Sequence, residues 1–133
     1  MTETNNVRVP TQFNGKVLIV EDNESNQLVA GFLIEQLGVS YDVANNGIEA
    51  VDLISKGNQY DLILMDIQMP VMDGFIATRA IRAYSTSTQT ICALSASDSA
   101  ADRTKAKKAG MNDFLLKPLE LEKLEKAFNR HLT

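Results

Sequence analysis

An α/β domain built on a parallel sheet is the fold class this sequence predicts, and three observations predict it. Five short, largely apolar runs, at Val17–Val20, Val39–Ala44, Leu62–Met65, Thr90–Leu94 and Asp113–Leu116, carry little of the in–out polar alternation of a sheet with one wet face. Helix-like segments follow them, so strand and helix alternate five times. The chain of 133 residues suits one domain. Five strands favour an open sheet, because a closed barrel of eight strand–helix units needs ~250 residues. The expected form is a five-stranded, doubly wound (βα)5 sheet covered on both faces.

Each element has its own justification. Residues 1–15 are polar, hold Pro10 and Gly15 and show no period, so they read as a flexible tail or linker remnant, with the domain occupying 16–132. Val17–Val20 is a β-branched run, after which Leu28, Val29, Phe32, Leu33 and Leu37 recur at helical spacing up to Gly38. A strand over Val39–Ala44, a helix over Gly47–Lys56 and the apolar run Leu62–Met65 come next. Then follow a helix over Phe75–Tyr84, a strand over Thr90–Leu94, a helix over Ala100–Ala109, a strand over Asp113–Leu116 and a helix over Leu119–Leu132. Leu121, Leu124, Phe128 and Leu132 line one stripe of that last helix.

Composition removes several function classes. Apolar residues make up 44% of the chain, enough for a real core, so disorder is not the default. Thirteen Lys and Arg against seventeen Asp and Glu leave a net charge of −4 with no long basic stretch. Binding to the phosphate backbone of a nucleic acid would lack its driving force. The longest apolar runs fall far short of the ~20 residues that cross a bilayer, so no membrane contact is expected. MTETNNVRVP has no apolar segment of the kind a secretory signal needs. The single cysteine, Cys92, excludes an internal disulfide and suits a reducing compartment, so a cytoplasmic location is expected.

In an open α/β sheet, ligands sit outside the carboxyl ends of the strands. Glu21 and Asp22 leave the first strand, Asp66 the third, Ser95 the fourth and Lys117 the fifth. The second strand ends in Ala44-Asn45 and is expected at an edge. Any one of these residues could be merely the first of a loop; the combination is more specific. Carboxylates a few ångströms apart repel by about 4 kcal/mol per pair at an effective dielectric of ~20. A divalent cation and Lys117 would offset that repulsion. Hard oxygen donors suit Mg²⁺, and the chain has no Cys/His set for zinc. An aspartate beside Mg²⁺, a lysine and a hydroxyl is a set for phosphoryl transfer, with Asp66 the best-placed nucleophile.

Other residues have plainer readings. Asp73 before Gly74 reads as a helix cap, Met65 and Met69 as packing, and Cys92 as an inert buried thiol. His131 sits near a helix end that favours cations. Arg103, Lys105, Lys107 and Lys108 read as a solvated helix face.

The segments VLIVEDNESNQLV, DLILMDIQMPVMDG, ICALSAS and DFLLKP, in that order, resemble the receiver domain of two-component response regulators over about residues 15–132. The wording around DNESN and Asp66 looks most like receivers of hybrid sensor histidine kinases. The resemblance implies a flavodoxin-like strand order 2-1-3-4-5 and phosphorylation of Asp66 from the phosphohistidine of a histidine kinase or a histidine phosphotransfer domain. It implies Mg²⁺ bound by Asp22, Asp66 and the backbone carbonyl of Gln68, with Glu21 acting through water. Lys117 would pair with Asp66 or its phosphoryl group, and Lys117-Pro118 would be a cis peptide. Ser95 would be the switch hydroxyl and Phe114 the switch aromatic, moving a surface over residues 99–132. That surface is the usual output face of the family, where the basic run at 103–108 could meet a partner. Gln68 and Ser97 hold positions that tune the phosphoryl lifetime. A monomer or weak dimer is expected, as a stand-alone regulator or part of a hybrid kinase, with no turnover of its own beyond making and losing its aspartyl phosphate.

Three alternatives compete. A haloacid-dehalogenase-type phosphatase needs a second Asp where this chain has Gln68. A flavodoxin needs a neutral or positive phosphate loop rich in Ser, Thr and Gly, whereas Glu21-Asp22-Asn23-Glu24 would repel the FMN phosphate. A degenerate, non-phosphorylated interaction module of the same fold would have little need of the full set at 21, 22, 66, 95 and 117.

Overall fold

The computed structural model describes residues 10–84 and 88–132. Among them, five strands and five helices alternate: β1 (Lys16–Val20), α1 (Glu24–Gln36), β2 (Ser40–Ala44), α2 (Gly47–Ser55), β3 (Leu62–Asp66), α3 (Gly74–Tyr84), β4 (Ile91–Ser95), α4 (Ala100–Ala109), β5 (Asp113–Leu116) and α5 (Leu121–His131). All strand pairs are parallel, in the order β2-β1-β3-β4-β5, as expected. None of the helices is long and apolar enough to cross a membrane.

The two-residue period of a strand sorts the apolar runs into two cores. Val17, Ile19, Leu62, Leu64, Cys92 and Leu94 face one side, where they meet Ala30, Ile34 and Leu37 from the α1 region and Leu124, Ala127 and Phe128 of α5. Leu18, Val20, Ile63, Met65, Ile91 and Ala93 face the other, against Ala50, Ala77, Ile81 and Ala106 of α2, α3 and α4. Both faces being covered explains why the central strands read as unbroken apolar runs.

The α1 helix departs from its apparent stripe. Leu33 and Leu37 pack on the core, but Leu28, Val29 and Phe32 are 68%, 51% and 61% exposed. The buried face is Ala30–Ile34–Leu37, at i, i+4 and i+7. It approaches the sheet closely because Gly31 has no side chain: a Cβ there would lie 2.4 Å from the Tyr41 hydroxyl. The close approach at Gly31 therefore helps choose the face, with Ile34 and Leu37 as its large buried residues.

Chain ends adjust the expected bounds. Glu120 is extended (φ −127°), so α5 begins at Leu121 instead of Leu119, and Leu119 packs against the core. Residues 11–13 lie against the domain. Thr11 N–H donates to Glu125 (3.0 Å), Phe13 N–H donates to the Leu37 carbonyl (2.9 Å), and the buried Phe13 ring meets Phe128 edge-on at 5.6 Å. Residues 1–9 of the expected tail lie outside the described residues. Burial raises the Cys92 thiol pKa, in keeping with an inert side chain.

Asp113 ties the start of β5 to the end of α5, accepting from Arg130 (2.7 Å) and lying 2.8 Å from His131 Nε2. Burial pushes its carboxyl up, but the bonds from His131, Arg130 and the Phe114 N–H outweigh this and leave the pKa below its ordinary 3.8. A depressed folded pKa stabilises above the unfolded value, and the stabilisation is lost as pH falls through the folded one. Asp113→Asn should therefore lower the melting temperature near neutral pH, with the gap closing as pH is taken below 3.8; a gap constant with pH would contradict this. Val71, in the β3–α3 loop, holds φ at +73°, a costly left-handed conformation for a β-branched residue. Because its side chain is exposed, Val71→Asn should stabilise by about 1 kcal/mol. Thermal unfolding should show a rise of about 3–6 °C.

Candidate functional site

Strand order reverses between β1 and β3, the crevice where a doubly wound sheet binds its ligand. The register pairs Val20 with Met65, so one residue further on Glu21 arrives beside Asp66. On the far side, Asp66 pairs with Leu94 and Ser95 with Leu116, which delivers Ser95 and Lys117 to the same edge. The apolar runs thus position the polar residues that terminate them.

Carboxylate oxygens of Glu21, Asp22 and Asp66 lie within 4.8 Å of one another. Glu21 and Asp66 are buried, while Asp22 is exposed at the mouth. Lys117 Nζ reaches two of the three, donating to Glu21 Oε1 at 2.8 Å and Asp66 Oδ2 at 2.9 Å. Burial opposes the ammonium charge, but these two carboxylates outweigh it and raise the Lys117 pKa. Backbone donors hold the remaining oxygens: Asn23 N–H to Glu21 Oε2 (3.1 Å) and Gln68 N–H to Asp66 Oδ1 (3.0 Å). Gln27 Nε2 donates to the Glu21 carbonyl (2.6 Å) and steadies the β1–α1 turn. The Lys117-Pro118 peptide is cis, as the resemblance implied.

Ser95 is fully buried, and its hydroxyl donates to the Ser97 carbonyl (2.8 Å) while accepting from the Ser97 N–H (3.1 Å). It therefore serves its own loop in this conformation. Phe114 is half-buried against the α2–α3–α4 core. Asp73 caps α3, accepting from the Ile76 N–H at 2.9 Å. Gly74 matters more than its place beside a cap suggests, because a Cβ there would lie 2.5 Å from the Asp66 carbonyl oxygen and 2.8 Å from Ile67 Cα. Only glycine lets α3 approach the backbone that carries Asp66.

Three carboxylates facing one ammonium leave negative charge uncompensated. The donors are all hard oxygens, and no His or Cys belongs to the cluster. The set fits a hard divalent cation such as Mg²⁺. Sequence reading gave Asn23 and Gln27 no role of their own, and it read Arg103 as part of a solvated helix face, although its guanidinium carbon lies 4.5 Å from the centre of the Phe114 ring. The first two act through short loop contacts that a motif containing them could have flagged; Arg103 lies eleven positions from its ring, and nothing local marks the pair.

Comparison with known proteins agrees with this geometry. The family model for the response regulator receiver domain matches residues 17–129. Hybrid signal transduction histidine kinase B of Dictyostelium discoideum is 45% identical over 117 residues, covering 79% of this chain and 6% of that relative. Two-component response regulator 24 of Arabidopsis thaliana is 39% identical over 107 residues, covering 80% of this chain and 76% of that protein. The chain spans only 6%, 16% and 10% of three kinase relatives it matches, so it corresponds to one part of such proteins. Among solved structures, the receiver domain of sensor histidine kinase PA1611 of Pseudomonas aeruginosa PAO1, with magnesium in its active-site cleft, superposes with a TM-score of 0.81. It is 39% identical and covers 89% of this chain and 97% of that one. The Saccharomyces cerevisiae complex of the histidine phosphotransfer protein Ypd1 with the Ssk1 receiver domain gives 0.81 at 37% identity, with 93% and 91% covered. With residues 17–129, the sheet order and the acidic crevice in agreement, the chain belongs to the response regulator receiver domain family.

Proposed function

We propose that this domain accepts a phosphoryl group on Asp66 from the phosphohistidine of a histidine kinase or histidine phosphotransfer domain. The observation that carries the reading is the buried Asp66 carboxylate, held between the Lys117 ammonium and the Gln68 N–H and crowded by Glu21 and Asp22. A carboxylate oxygen forms a bond to phosphorus as the phosphorus–nitrogen bond of the phosphohistidine breaks, and the imidazole leaves with its electron pair. Lys117, already 2.9 Å from Asp66 Oδ2, is placed to follow the charge onto a phosphoryl oxygen. Asp22, Asp66 and the Gln68 carbonyl would hold Mg²⁺, with Glu21 acting through water. When bound, the ion neutralises the acidic cluster and charge on the transferring group. Ser95 and Phe114 then supply the switch: the hydroxyl leaves Ser97 for the phosphorylated side chain, and the ring follows it inward.

The exposed α1 residues support a relay partner. Leu28, Val29 and Phe32 form an apolar face beside a cleft of about 140 Å³ that Val29, Ala30, Lys117, Pro118 and Leu119 line. A helix bearing the phosphohistidine, seated there, would bring its imidazole to the mouth of the acidic crevice. The Ypd1–Ssk1 complex shows that a receiver 37% identical to this chain does pair with a phosphotransfer protein.

Incubation with acetyl phosphate and Mg²⁺ should add one hydroxylamine-labile phosphoryl group by intact mass, absent in Asp66→Asn and in EDTA. No gain, together with no binding of beryllofluoride, would leave a degenerate interaction module as the reading. Phe32→Ala with Leu28→Ala should keep acetyl phosphate labelling while slowing transfer from a phosphorylated phosphotransfer protein by about tenfold. Transfer at the parent rate would remove α1 from the docking face.

A further inference from the structure

We infer that Arg103 is a positioning residue that holds Phe114 in its half-buried place and so opposes phosphoryl binding at Asp66; this rests on the proposed switch of Ser95 and Phe114. The guanidinium stacks on the Phe114 ring, 4.5 Å from its centre, and its Nε donates to Asp98 Oδ1. Asp98 lies in the β4–α4 loop, three residues after Ser95, whose hydroxyl is bonded to Ser97 at 2.8 Å. One side chain on α4 thus grips both parts that must move, the loop that carries the hydroxyl and the ring on β5. A solvated helix face would not need either contact. Arg103 is exposed like its neighbours Lys105, Lys107 and Lys108, but among the described residues it alone of these cations lies over the ring.

If Ser95 turns toward a phosphorylated Asp66, it must leave the Ser97 carbonyl, and the loop bearing Asp98 shifts with it. If Phe114 turns inward, the ring leaves the guanidinium. Both contacts are made with the ring half-buried and the Ser95 hydroxyl on Ser97, and both would be lost on moving further inward, so their removal favours the inward state and whatever binds it. A cation over an exposed aromatic face corresponds to about a two- to fivefold change in that equilibrium. Charge acts in the opposite sense, because deleting a cation near an anion site weakens anion binding. The direction of the effect therefore separates a latch from simple electrostatics.

The test is a double-mutant cycle read by the dissociation constant for beryllofluoride with Mg²⁺, followed through the bound-fluoride ¹⁹F resonance. Arg103→Gln should bind beryllofluoride about two- to fivefold more tightly than the parent, while the same change in a Phe114→Leu background should tighten binding less, because only the Asp98 contact is then left to lose. Unchanged or weaker binding in Arg103→Gln overturns the latch, and so does equal tightening in both backgrounds. If the parent binds no beryllofluoride, the phospho-acceptor reading itself fails and the latch falls with it, an outcome distinct from binding that ignores Arg103.

Discussion

Crowding of negative charge at the β1–β3 crevice is the constraint on which the rest of this structure depends. Glu21, Asp22 and Asp66 bring carboxylate oxygens within 4.8 Å of one another, with two of the three side chains buried. The fold holds them there by strand pairing, because each sits at or just beyond the end of a strand whose register both sheet cores enforce. Lys117 offsets part of the repulsion, and backbone N–H groups of Asn23 and Gln68 absorb more. What remains is an affinity for added positive charge, which is why a hard divalent cation suits the site.

Close backbone approach is the second condition. Gly74 lets the start of α3 sit against the carbonyl of Asp66, and Gly31 lets α1 press on Tyr41. Gly74 thus fixes how closely α3 meets the strand that carries Asp66, and Gly31 helps set which face of α1 is left outside. The large apolar residues that the close α1 packing turns outward lie beside the crevice. One packing decision thus leaves an apolar face beside the residues of the crevice.

The opposite flank of the sheet is organised differently. Ser95 and Phe114 lie on neighbouring strands, and their surroundings are polar and adjustable: a hydroxyl bonded to its own loop, and a half-buried ring under an arginine. The α1 side is fixed by tight apolar packing, whereas the α4 side is held by contacts that can be exchanged. On the proposed function, such a division would let one site meet a constant donor and report its state elsewhere.

Much of this was legible in the chain itself. Apolar runs and helical spacing located the ten elements to within a few residues, because strand and helix periods are local properties. Residues at the strand ends identified Glu21, Asp22, Asp66, Ser95 and Lys117, since a parallel sheet must bring those ends to one edge. Tertiary structure alone decided which face of α1 is buried, where α5 begins, that residues 11–13 pack on the domain, and that Arg103 covers Phe114. These depend on how closely two elements approach and on pairs far apart in sequence, as between Phe13 and Phe128. Periodicity records which residues avoid water, and only the packed fold determines which of them succeed.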